Sequence, residues 1–140
     1  MNPTIWAKAH GATTHFPLAL ALSSVAFDAA GFALARQPVG HELRSAGYWT
    51  MLCGAMGTVP AVLSGLLMTK GTVMGHDALR LHHLFVWPAF ALLIALGTWR
   101  VLQGRQALPR AFAGYLILAG FAAGLMTAAA YWGGEMMIAR

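Results

Sequence analysis

Six histidines carry most of the chemistry open to this sequence: His10, His15, His41, His76, His82 and His83. Imidazole ligates haem iron, zinc and copper. In lipid it is costly unless it faces a bundle interior and is paired or ligated. His15 opens the first apolar block of the chain, and the adjacent His82 and His83 open the third. Two imidazoles facing each other from two helices are what axial ligation of a haem requires. The expected site is therefore haem b held by His15 and one of His82 and His83. Two alternatives stay open: a transition metal on the same cluster, or histidines resting in the headgroup region on water, lipid or backbone. Lys70, Arg80 and Lys8 fall at the same level and would pair with haem propionates through charge-assisted hydrogen bonds. Asp77 and Glu135 are the only carboxylates nearby, placed to orient a ligand imidazole rather than to build a hard-cation site. Trp87 lies deeper, as a cofactor-stacking ring or as core. Gly133-Gly134-Glu135 reads as a turn ending the fourth block, or as a backbone approach to a cofactor.

Asp28 is the second feature. It lies thirteen positions beyond His15, about 20 Å along a helix, and so in the opposite half of the bilayer. One reading is a proton acceptor or part of a quinone pocket. The other is a structural carboxyl bonded to Arg44, Tyr48, Trp49 or backbone, since intramembrane charges usually find a partner. Cys53 stands alone within an apolar block and reads as a small core residue.

The elements that must position these residues are membrane helices. A bilayer core of about 30 Å takes roughly 20 apolar residues in helix. Four blocks qualify, at about 15–35, 46–68, 81–101 and 111–132, broken by Arg36–Glu42, Lys70–Arg80 and Gln103–Pro109. The fold class is thus all-α: one membrane domain over 1–140, a four-transmembrane-helix bundle with both termini on one side. The first and third helices then enter from the same face, which puts five of the six histidines at the terminal side and His41 at the other. The two short breaks are densely basic, with Arg36, Arg44, Arg100, Arg105 and Arg110, against Lys8, Lys70, Arg80 and Arg140 on the terminal side. The positive-inside rule puts the short loops in the cytoplasm and the termini in the periplasm or exterior. Small residues recur at Gly57, Ala61 and Gly65 and at Gly120, Gly124 and Ala128, spaced to let helices, or a flat cofactor, approach closely. A cleaved signal peptide is not expected, because the first block starts only at Phe16 and contains Asp28.

Composition agrees. Of 140 residues, 59% are hydrophobic and 9% charged, where soluble domains carry about 25% charged residues. The net charge of +5 comes from dispersed helix-end residues, with no basic run or nucleic-acid motif. No Walker, dinucleotide, HExxH or GxSxG pattern is present, which argues against a hydrolase. The few polar residues argue against a channel or transporter.

Several motifs together resemble the bacterial domain-of-unknown-function family 2231. They are His15-Phe16-Pro17-Leu18 followed by Asp28, a small-residue second helix ending in Ser64-Gly65, His82-His83 opening a third helix that ends in Arg100, and the closing Gly133-Gly134-Glu135. The resemblance covers about Gly11 to Ile138. It implies four membrane helices, a bacterial inner-membrane location and, for some members, haem binding. Where that family's third helix has one His and then Asn, this chain has two His and then Trp87-Pro88, so the ligand stays open between His82 and His83. The expected function is a b-type cytochrome-like electron carrier, not an enzyme, in reach of a quinol pool, a periplasmic cytochrome or a dehydrogenase. The rivals are a cofactor-free accessory subunit of a larger respiratory or photosynthetic membrane complex, and a metal-binding membrane protein.

Overall fold

In a computed structural model, residues 5–104 and 109–138 are described. Arg105, Gln106 and Arg140, used in the charge comparison, lie outside them. The described chain is four helices: α1 (Ile5–Ala33), α2 (Pro38–Met68), α3 (Asp77–Gln103) and α4 (Pro109–Ile138). Each is long and apolar enough to cross a membrane.

The helices run one to three turns past the apolar blocks at several ends. Helices of 27 to 31 residues are about 40–46 Å long, whereas hydropathy reports only the hydrocarbon layer of about 30 Å. The largest extension is at the start of α1, which begins at Ile5, well before the expected start at His15, and so takes in His10. The same extension puts Pro17 inside α1, buried. Gly57 of α2 packs there, where an added Cβ would meet Phe16 and Pro17 at 3.2 and 3.6 Å.

The ends of α2 follow local rules. Pro38 stands at its first position after extended Gln37, a place where a missing N–H costs nothing. At its other end Lys70 takes a left-handed φ of 55°. Gly71 N–H then reaches back to Leu66 O at 2.8 Å and Lys70 N–H to Leu67 O at 3.4 Å, a Schellman close that satisfies the last carbonyls.

Neighbouring helices in sequence pack side by side, α1 against α2 and α3 against α4, and α1 meets α4 to close the ring. The diagonals α1–α3 and α2–α4 therefore face each other across the interior. The central core is Ala21, Met51, Leu93, Leu96, Phe112, Tyr115, Ala119 and Ala122. The small residues of α2 serve packing against α1. Gly120 and Gly124 of α4 instead face open space, on the side a bilayer would cover. The expected turn at Gly133-Gly134-Glu135 does not form, because α4 continues to Ile138. Gly133 has a different use: a Cβ there would stand 3.4 Å from His82 Nδ1.

Candidate functional site

Two polar clusters interrupt the apolar interior, one near each end. At the terminal end, His10 of α1 and His82 of α3 meet across the diagonal, with ring centroids 6.4 Å apart and planes at 83°. Each ring is held by a backbone carbonyl of the neighbouring helix. His10 donates Nδ1–H to Ala61 O at 2.9 Å, with Ser64 Oγ at 3.3 Å. His82 donates Nδ1–H to Ala129 O at 2.7 Å. A carbonyl can only accept, so both Nδ1 atoms carry the proton. In the neutral rings both Nε2 atoms then hold lone pairs. Glycine makes room on the His10 side: a Cβ at Gly65 would lie 2.9 Å from His10 Cε1. Thr13 Oγ and Ser64 Oγ, 3.2 Å apart, brace the His10 side.

His83 has the opposite tautomer. It is 6% exposed, and its Nδ1 accepts the Gly75 N–H at 3.2 Å, which leaves the proton on Nε2. Trp87 donates Nε1–H to Val73 O at 2.8 Å, and its ring lies 6.2 Å from that of His83. Both residues therefore hold the α2–α3 connection down on α3.

His15 does not join this group. It is exposed, and its Nδ1–H goes to Gly11 O, one turn earlier in its own helix, at 2.7 Å. Five residues along a helix turn the side chain by about 140°, so with His10 inward, His15 faces out. The expected pairing missed His10 because that residue was placed outside the helix. Lys8, Lys70 and Arg80 are exposed at this end, and Glu135 is partly buried. Among the described residues, no three His, Cys, Asp or Glu side chains converge as a metal site would.

At the loop end, Asp28 is fully buried. Arg100 Nη2 donates to its Oδ1 at 3.2 Å and Tyr115 O–H to its Oδ2 at 2.9 Å. Ser24 Oγ stands 3.5 Å from Oδ2 and donates to Gly47 O at 2.9 Å. Arg100 Nη2 also reaches Arg44 O at 3.1 Å. Its guanidinium lies 5.0 to 5.4 Å from the rings of Tyr115, Phe112 and Tyr48, and that of Arg44 lies 4.4 Å over Phe112. All four helices contribute. Gly47 is required here, since a Cβ would overlap the Asp28 carboxylate. Asp28 is thus a paired carboxyl, and its principal partners, Arg100 and Tyr115, lie on α3 and α4, beyond the α2 residues expected. Arg100 was visible in sequence only as a basic residue ending the third span.

The two clusters are eighteen residues apart on α1, about 27 Å, close to the thickness of the hydrocarbon layer. A family model described as a predicted membrane protein, DUF2231, matches residues 8–139 of the chain. No curated protein and no solved structure matches it.

Proposed function

The chain belongs to the DUF2231 family of predicted membrane proteins, and on that premise we propose that it is a membrane electron carrier that holds a b-type haem between His10 and His82. The observation that carries this reading is the inward pair of imidazoles with their Nδ1 protons engaged and their Nε2 lone pairs free. With metal–imidazole bonds of about 2.0 Å, two rings on opposite sides of one metal have centres about 6 Å apart, and these lie at 6.4 Å. A carbonyl on each Nδ1–H fixes the tautomer and ring orientation and makes Nε2 a better ligand.

The donor set suits haem better than zinc or copper. Tetrahedral sites draw three or four ligands from the protein, and only two imidazoles with free Nε2 atoms face inward here. His83 commits its Nδ1 to Gly75 and does not compete. Lys8, Lys70 and Arg80, exposed at the same end, supply cations for propionates. Held by His10 and His82, a haem would supply one-electron transfer.

A reduced-minus-oxidised absorbance spectrum of protein made with ample haem tests this. A b-type signature is expected in the wild type and in His15→Ala, and none in His10→Ala or His82→Ala. Wild-type protein without haem rejects the proposal, and bound zinc or copper in that protein supports the metal reading instead. A cofactor-free accessory subunit is the second reading. Gly120 and Gly124, open on the outer face of α4, favour it as a surface for another membrane helix.

A further inference from the structure

The two hairpins of the bundle carry one design twice. His10 and His82 are 72 positions apart, as are the buried Ala21 and Leu93 and the buried Asp28 and Arg100. On the partner helices, Ala61 and Ala129, Gly65 and Gly133, and the buried Met51 and Ala119 are again related by one constant spacing. Hairpin α1–α2 thus corresponds to hairpin α3–α4. Each imidazole has the same seat. It donates Nδ1–H to an alanine carbonyl of its own hairpin and lies beside the glycine four positions further on.

The seats differ in what surrounds the carbonyl. Beside Ala61 stand Ser64 and, on α1, Thr13. The corresponding positions of the second hairpin are Trp132 and Phe85, which have no hydroxyl. Ser64, 6% exposed, donates Oγ–H to Ala61 O at 2.9 Å, the distance at which His10 donates to the same atom. Thr13 Oγ stands 3.2 Å from Ser64 Oγ and gives its own proton to Ala9 O at 2.9 Å. A helical carbonyl already accepts one backbone N–H, and it has two lone pairs. At Ala61 three donors therefore share two lone pairs. At Ala129 two donors have one each, since among the described residues His82 is the only side chain that donates to this carbonyl. Its bond is also the shorter, at 2.7 Å.

We propose that Ser64 is a positioning residue that makes the two imidazoles unequal. It takes a share of the Ala61 carbonyl from His10, so that Nε2 of His10 is the weaker donor to a metal and Nε2 of His82 the stronger. An imidazole gains basicity at one nitrogen as the hydrogen bond from the other strengthens. The inequality of the rings belongs to the protein alone, whereas its consequence for a redox potential rests on the haem reading above. A weaker donor disfavours the more positively charged, oxidised iron, so Ser64 holds the potential up.

The test is Ser64→Ala in the full-length protein in detergent micelles, read in two ways. Alanine is the best helix former, so the variant keeps α2 intact. The first readout is the nitrogen-15 spectrum of the histidine rings in haem-free protein, with His10 assigned from its loss in His10→Ala. The Nδ1 resonance of His10 should move downfield, as for a stronger hydrogen bond, while that of His82 stays in place. The second is a potentiometric titration of the haem-loaded protein. The midpoint should fall, raising the oxidised-to-reduced ratio at a fixed potential about threefold, a part of the strength of one hydrogen bond. A His10 resonance that does not move, or that moves together with that of His82, overturns the proposal. An unchanged or raised midpoint overturns it as well. Wild-type protein that takes up no haem rejects the electron-carrier reading, and the ring spectrum then decides the inequality by itself.

Discussion

The two ends of the bundle handle buried polarity in opposite ways. At the loop end, a carboxylate, a guanidinium, a phenol and a hydroxyl from α1, α3 and α4 bond one another and the α2 backbone. Both Asp28 oxygens are used, and what remains over is N–H donors on Arg100. At the terminal end, His10 and His82 bond only through Nδ1, and what remains over is the Nε2 atom of each ring. The loop-end cluster fixes how four helices meet, whereas the terminal-end pair adds little to packing that apolar residues would not supply.

Substitutions should therefore separate the ends. The largest effect expected is complete loss of haem in His82→Ala, read by pyridine haemochrome assay, with the bundle still helical by circular dichroism. Loss of the fold together with the haem would erase the distinction between the ends. Next comes Arg100→Met, which leaves the Asp28 carboxylate buried without its cation. It should cost about 3–5 kcal/mol, measured by unfolding in mixed dodecyl sulfate micelles. Asp28→Leu combined with Arg100→Met should return to near wild-type stability, because a buried ion pair can be replaced by apolar groups at little cost. Gly47→Ala forces a methyl against Asp28 and should cost about 1–3 kcal/mol while leaving haem content unchanged. The smallest effect belongs to His83→Ala. It removes the acceptor of Gly75 N–H, costs about 1 kcal/mol, and should speed amide exchange over Gly71–Gly75 with haem retained.

The membrane bundle was legible from the sequence because four apolar blocks in a chain so poor in charge have few other uses. The direction of the helices followed, and with it the convergence of histidines at one end. What was not legible was rotation. A block apolar on all sides has no stripe to tell which face turns inward, so nothing marked His15 as outward and His10 as inward. His10 was harder still, because hydropathy ends where the hydrocarbon ends and the helix does not. His82 and His83 are neighbours in sequence with the same chemistry. Only the partners of their Nδ1 atoms, a carbonyl for His82 and an amide for His83, tell the two apart. Asp28 was recognisable as a charge in need of a partner, but the choice of Arg100 and Tyr115 depends on which helices adjoin at that depth. Gly133 looked like a turn residue and instead lies within α4 beside His82.

The most direct measurement is the electron paramagnetic resonance spectrum of the oxidised, haem-loaded protein. Imidazole planes at 83° lead to the highly anisotropic low-spin signal given by two nearly perpendicular axial imidazoles, kept in His15→Ala and lost in His10→Ala. A high-spin signal in the wild type, or a low-spin signal that survives replacement of His10, would contradict axial ligation by His10 and His82.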